Sequence, residues 1–203
     1  MYLKGLCFIT DKASGLSFED MTIKVLRGGV RWVQYRDKVR SRREIYEEAI
    51  RLRKITKDYN AMFIVNDYTD IAYSVNADGV HLGQNDLPLK EARRIIGKKK
   101  IIGISTHDLE QAIEAERDGA DYIGFGPVFQ TMTKDAGEPK GIDMLREVKA
   151  KVKIPVVAIG GINLENIMSV LNTRIDAVAV ASAILNGDIE RNVRRFMDFL
   201  KYK

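Results

Sequence analysis

Eight short apolar runs, separated by polar stretches of helical period, limit what this chain can fold into more than any other feature of it. They span residues 6–9, 31–35, 62–65, 79–82, 101–104, 122–125, 154–159 and 177–180. Each is rich in β-branched or other apolar residues and shows little alternation of polar with apolar side chains, as expected of strands covered on both faces. The stretches between them read as amphipathic helices. Residues 41–59 place Ile45, Ala49, Ile50, Leu52 and Ile55 near one stripe, with Arg, Lys and Glu opposite. Asp108, with Gln111 three residues on, opens another helix in the manner of a capping box, and Gly119 closes it. Further helices are expected near 18–27, 68–75, 89–96, 142–151, 164–171 and 189–200. Eight strand-then-helix units predict an α/β protein closed on itself, a single-domain (β/α)8 TIM barrel over residues 1–203. A doubly wound open sheet is the alternative for the same pattern.

No stretch looks like a linker or a second domain, and 203 residues suit one hydrophobic core. Apolar residues make up 45% of the chain, yet no run nears the roughly 18 residues a membrane span needs. The first run begins at Leu6 with no signal-peptide pattern before it, so a cytoplasmic protein without membrane attachment is expected. The one cysteine, Cys7, forbids an internal disulfide and reads as a core residue. Net charge is +5, and the densest basic runs are Lys98-Lys99-Lys100 and Arg40/Arg42/Arg43. Both lie at element boundaries without interleaved aromatic residues. They read as solvated turns, so nucleic acid is not an expected partner. The sequence leaves oligomeric state open, a homo-oligomer included.

Active sites of such barrels lie at the C-terminal ends of the strands, so the residues after each run are the ones that matter. The second run ends in Gln34-Tyr35-Arg36-Asp37-Lys38, where alternation puts Gln34, Arg36 and Lys38 on one side. That set suits a polar ring and an anion, or a solvated loop. The third run ends in Asn66-Asp67 and the fourth leads to Asp86. Neighbouring strands lie about 4.8 Å apart, so Asp67 and Asp86 can meet above the barrel. Two carboxylates with few soft ligands nearby favour Mg2+, while helix N-caps are the competing role. Ser105 follows the fifth run, and His81 and His107 are expected to be structural. The longest loop, 127–141, carries Thr131-Met132-Thr133-Lys134, hydroxyls and an ammonium able to surround a phosphate. Gly160-Gly161 and Ala181-Ser182 end the last two runs, where barrels of this kind often bind phosphate on main-chain N–H groups. Residues 182–185 are expected to form a short helix there.

Taken in order, these strand ends resemble the thiamine-phosphate synthase family. The resemblance begins at Phe8-Ile9-Thr10-Asp11 and runs through the segments just named. It includes Asp78-Gly79-Val80-His81-Leu82-Gly83-Gln84-Asn85-Asp86, Gly103-Ile104-Ser105-Thr106-His107 and Gly119–Phe129, and ends at Ile159-Gly160-Gly161-Ile162. It implies that Gln34, Tyr35, Arg36, Asp37, Lys38, Asn66, Ser105 and Lys134 hold a pyrimidine diphosphate. Thr131, Met132, Thr133, Gly161, Ala181 and Ser182 would hold a thiazole phosphate, and Asp67 and Asp86 a Mg2+ ion. Arg36, Lys38, Ser105 and Lys134 would serve the chemistry, an alkyl transfer in which diphosphate leaves the pyrimidine's methylene carbon. The family usually has proline before the Thr-x-Thr-Lys run, whereas this chain has Gln130.

Three rival readings share the barrel. A thiazole tautomerase-like paralogue is expected to lack the carboxylates and cations and to place a histidine near position 127, which is proline here. Sugar-phosphate isomerases share only the glycine and serine feature of the last two runs. A non-catalytic barrel that binds a thiamine precursor would not need both Asp67 and Asp86.

Overall fold

The computed structural model describes residues 3–12, 15–131 and 137–201. Its strands are β1 (Gly5–Ile9), β2 (Trp32–Tyr35), β3 (Met62–Asn66), β4 (Gly79–Leu82), β5 (Ile101–Thr106), β6 (Tyr122–Phe125), β7 (Val156–Ile159) and β8 (Ala177–Val180). All pair in parallel in chain order, and β8 closes on β1 through Gly5↔Ala177 to Phe8↔Val180. The open-sheet alternative is thereby excluded. Around the barrel run α1 (Phe18–Gly28), α2 (Arg42–Asp58), α3 (Thr69–Ser74), α4 (Leu89–Ile96), α5 (Leu109–Arg117), α6 (Gly141–Lys151), α7 (Ile167–Leu171), α8 (Ser182–Leu185) and α9 (Ile189–Lys201). No described helix is long and apolar enough to cross a membrane.

Every strand end lies close to where the apolar runs put it, and the local departures have physical causes. On α2 the buried stripe is Ile45, Glu48, Ala49, Leu52 and Thr56, and Ile50 is exposed. Five residues beyond Ile45 is about 140° round a helix of 3.6 residues per turn, off the stripe. Asp108 does cap α5 by accepting Gln111 N at 2.8 Å, but Gln111 Oε1 takes His107 N rather than the cap's own amide. The reciprocal capping box is instead Ser41 with Glu44 at the start of α2. Helix α7 begins at Ile167 rather than near residue 164, because Asn163 and Asn166 side chains bond local backbone amides and hold a turn there.

Two apolar layers result. Inside the barrel lie Cys7, Ile9, Trp32, Met62, Ile64, Tyr122, Val157, Ala177 and Ala179, and the larger cluster fills the gap between strands and helices. Cys7 is a core residue, and burial pushes its thiol up, away from reactivity.

The N-terminal end of the barrel carries a device that recurs before β4, β6 and β8. Asp78, Asp121 and Asp176 each immediately precede one of these strands. Each carboxylate caps the preceding strand by accepting Phe63 N at 2.8 Å, Ile102 N at 2.7 Å or Val156 N at 2.9 Å. Each also binds a cation from the helix that precedes the capped strand (α2, α4 or α6): Arg53 at 2.8 Å, Arg93 at 2.6 Å and Lys149 at 2.6 Å. Strand edge and helix are thus tied at one carboxylate in three of the repeated units. Asp176→Ala leaves Val156 N–H and Lys149 without their acceptor, and a loss of about 2 kcal/mol in urea unfolding is expected. Asp176→Asn, which retains an oxygen for the amide, should lose less. Unfolding midpoints equal to wild type in both would remove the clamp from the account of stability.

Candidate active site

Alternation along the strands brings a polar chain together just under the barrel mouth. Gln34 on β2 is buried and bonds the Tyr122 hydroxyl. Tyr122 on β6 stands edge-on to Trp32 with centroids 5.2 Å apart, in space that Gly103 leaves open, since a Cβ there would overlap the ring. The Tyr122 hydroxyl is 2.9 Å from His81 Nδ1, and His81 Nε2 is 2.9 Å from Ser105 Oγ. Gly124 makes room for the imidazole, because a Cβ there would sit 3.0 Å from His81 Cε1. Gln84 Nε2 donates to Ser105 O at 2.6 Å and ties the loop after β4 to β5.

Burial lowers His81 from 6.5 to about 4, so the ring is neutral at pH 7. Below about pH 6.5 the unfolded chain takes up this proton and the folded chain does not, until pH nears 4. Stability is therefore expected to fall as pH drops through that window, by about 3 kcal/mol. Urea unfolding of wild type and His81→Gln across the window checks this. The variant should lose less on acidification, and an equal acid slope in both would exonerate His81.

Beside this chain lie the two carboxylates. Asp67 sits at φ +66, and its amide donates to His81 O at 2.8 Å. Its carboxyl receives the Asn66 amide and the Lys38 ammonium, and lies within hydrogen-bonding reach of Asp86. Asp86 Oδ2 accepts Gly83 N at 2.6 Å. Burial raises Asp67 above the usual carboxylate range; Lys38 opposes that shift and Asp86 adds to it. Neither residue caps a helix, since α3 and α4 start after Tyr68 and Pro88 without a side-chain cap. The donor set is oxygen, with His81 engaged at both ring nitrogens and no third acid, histidine or cysteine joining among the described residues. Such a set fits a hard cation that keeps waters and takes further oxygens from a substrate.

Arg36 and Lys38 leave the end of β2. Thr10 pins Arg36 through both main-chain groups, its Oγ accepting Arg36 N at 2.9 Å and donating to Arg36 O at 3.1 Å. The Arg36 guanidinium has no acidic partner among the described residues. The Tyr35 and Asp37 side chains, by contrast, turn away from the mouth, as alternation requires. The Tyr35 ring packs edge-on to Phe18 at 5.2 Å in the layer between strands and helices. Asp37 is buried on the main chain of its own turn.

On the other side of the mouth, Gly160 and Gly161 have φ of +95 and +65. The segment after β6 crosses them: Val128 N bonds Ile159 O at 2.9 Å and Phe129 N bonds Gly160 O at 3.0 Å. A Cβ at Gly160 would lie 2.5 Å from Pro127 Cβ, so glycine is required by conformation and by close approach together. Lys140 N to Pro127 O, at 2.7 Å, closes the stem of the long loop. Thr131 is half-buried at its rim and Gln130 is exposed. Ala181 and the exposed Ser182 begin α8, next to Gly161 by the β7–β8 register. Met132, Thr133 and Lys134 lie outside the described residues.

The family model for thiamine monophosphate synthase matches residues 6–184. The chain belongs to the thiamine monophosphate synthase family. This family of transferases includes the thiamine-phosphate synthase of Clostridium acetobutylicum, 46% identical over 179 residues that cover 88% of this chain and 85% of the relative. The thiamine-phosphate synthase of Methanosarcina barkeri is 45% identical over 204 residues, covering 98% and 92%. Among solved structures, thiamine phosphate pyrophosphorylase from Pyrococcus furiosus superposes with a TM-score of 0.91 at 41% identity, over 98% of this chain and 96% of that one. A geranylgeranylglyceryl phosphate synthase from Thermoplasma acidophilum, at 14% identity and TM-score 0.73, shows the same barrel and nothing more.

Within this thiamine monophosphate synthase family member, sequence reasoning missed the part Tyr122 plays. It sits at the first position of β6 and reads there as one more apolar strand residue. The glycine opposite it on the neighbouring strand, Gly103↔Tyr122, was the available signal. His81 is engaged at both ring nitrogens, and His107 Nδ1 lies 2.7 Å from Gly126 O.

Proposed function

We propose that this chain joins a pyrimidine carrying a methylene diphosphate to a thiazole phosphate, giving thiamine phosphate and pyrophosphate. One observation carries the reading: Lys38, Asn66, Asp67 and Asp86 gather at one side of the mouth, with Arg36 on the same face of the β2 turn. A diphosphate needs such a mixture of cations and metal-binding carboxylates. In the reaction the bond from methylene carbon to diphosphate oxygen breaks, and its electron pair leaves with the diphosphate. The lone pair of the thiazole nitrogen then forms the new carbon–nitrogen bond to the cation left behind. Arg36, Lys38 and Lys134 stabilise the departing charge. Asp67 and Asp86 would hold Mg2+, which when bound supplies further positive charge to the diphosphate oxygens. Gln34, Asn66 and Ser105 orient the pyrimidine, and the neutral His81 ring fixes Ser105 Oγ. Thr131, Met132, Thr133, Gly161, Ala181 and Ser182 hold the thiazole phosphate, with positive-φ glycine admitting the anion to the main chain.

No proton has to be removed at the reacting atoms, so no general base is required. This agrees with a histidine bonded at both ring nitrogens. Catalysis then consists of alignment and charge stabilisation. Purified protein with both substrates and Mg2+ should yield thiamine phosphate and pyrophosphate in equal amounts, and EDTA should abolish both. Folded protein that forms neither would overturn the assignment. Product formation unaffected by EDTA would overturn the metal's part alone.

A further inference from the structure

Between Arg36 and Lys38, and just beyond them, the β2 turn sends side chains into a charged cluster built on two buried carboxylates, which the chemistry above does not use. Asp37 Oδ1 accepts Val39 N at 2.9 Å and Arg40 N at 3.2 Å, which folds the turn back on itself. Arg40 Nη1 donates to Glu48 Oε2 at 2.7 Å, and its Nε lies 3.6 Å from Asp37 Oδ2. The same guanidinium lies over the Phe18 ring, 5.1 Å from its centroid. Glu48, on α2, is only 4% exposed and also accepts Arg51 Nη2 at 2.9 Å. Arg51 in turn pairs with Glu19 of α1 at 2.8 Å.

A carboxylate buried on the same stripe as Ile45, Ala49 and Leu52 is a poor way to gain stability. An apolar residue of that size often does as well or better. What the cluster does specify is position. It joins the turn to α1 and α2 at one guanidinium, while Thr10 holds Arg36 from β1. Between these two anchors the chain has little freedom, and Arg36 and Lys38 must leave it toward the mouth. Tyr35 Oη, Asp37 Oδ2 and Glu48 Oε1 are buried without a hydrogen bond among the described residues. The cluster therefore tolerates polar loss that a merely stabilising network would avoid.

We propose that Arg40 and Glu48 are positioning residues for the diphosphate subsite, locking the turn that aims Arg36 and Lys38 at the leaving group. The inference rests on the synthase reading above. Its direct test is calorimetric binding of inorganic pyrophosphate with Mg2+ to wild type, Arg40→Met, Arg40→Lys and Glu48→Gln, followed by steady-state kinetics. Arg40→Met is expected to weaken pyrophosphate binding about tenfold and to raise the KM for the pyrimidine diphosphate alike. The KM for the thiazole phosphate should stay within about twofold of wild type, because the residues proposed for that subsite follow β6, β7 and β8, on the other side of the mouth. Arg40→Lys should recover part of the loss through its charge, but not all, since an ammonium cannot span both carboxylates. Should Arg40→Met fail to fold, Glu48→Gln, which keeps an oxygen facing Arg40, should show the same split at smaller size. Equal loss at both subsites, or unchanged pyrophosphate binding in folded variants, would overturn the inference. A wild-type protein that neither binds pyrophosphate nor forms product would instead overturn the synthase reading itself.

Discussion

Asp67→Asn and Asp86→Asn are each expected to lower Mg2+-dependent turnover by about a hundredfold or more, with the fold intact. The expectation follows from crowding. The two carboxyls lie within hydrogen-bonding reach of each other, and burial and proximity already push Asp67 up. Either substitution removes one of the two carboxylate charges that would hold a metal and relieves that repulsion. Asparagine is the better probe at position 67, because φ +66 suits Asn at least as well as Asp and would strain alanine. Urea unfolding without metal should therefore match wild type or move to higher denaturant. Mn2+ binding followed by electron paramagnetic resonance should weaken in parallel with turnover. Two variants that keep near wild-type rates with Mg2+ would exclude these carboxylates from the reaction. Lost activity with unchanged Mn2+ binding would place the metal elsewhere.

Gly103→Ala should cost both stability and turnover. Gly103 faces into the barrel, and a Cβ there would overlap the Tyr122 ring near its hydroxyl. The ring cannot swing aside, since it is fully buried between Trp32 and His81. Overpacking at such a point costs about 3 kcal/mol. Moving the ring also breaks the 2.9 Å contact that fixes His81, and through His81 the position of Ser105. Turnover in Gly103→Ala is thus expected to fall at least about tenfold beyond what lost folded protein explains. Tyr122→Phe, which keeps the ring and removes the hydroxyl, should cost about 1 kcal/mol and disturb the rate more than the fold. Unfolding curves alongside rates per folded molecule decide this. A Gly103→Ala protein as stable and active as wild type would show that the barrel interior is looser than its packing implies.

Much of this protein is set by sequence alone, and the reason is periodicity. Strands covered on both faces must be short, apolar and without alternation, and eight such runs between amphipathic stretches leave few closed arrangements. The residues after each run then fall at one rim because every strand is parallel. That is why Gln34, Asn66, Asp67, Asp86, Ser105, Gly161 and Ser182 could be named from their positions. Family membership and the near-complete superposition on the Pyrococcus furiosus protein agree with that reading of the fold.

Tertiary structure decided which way the remaining side chains point and what they meet. Tyr35 and Asp37 share a motif with Arg36 and Lys38, yet strand alternation and the turn's own hydrogen bonds send them to the helix layer. Whether Asp67 and Asp86 cap helices or meet each other depended on where α3 and α4 begin, at Thr69 and Leu89, too far along for either side chain to be the cap. The chain from Gln34 through Tyr122 and His81 to Ser105 joins four strands far apart in sequence, and no local pattern marks it. The three clamps of Asp78, Asp121 and Asp176 were in principle visible, as an acid before every second strand from β4 onward with a cation 25, 28 and 27 residues earlier. Their meaning appears only once closure of the barrel brings helix and strand edge to the same carboxylate. Local sequence fixes period and therefore element, while the partners of a buried polar group are fixed by closure, which brings together residues that the chain itself keeps apart.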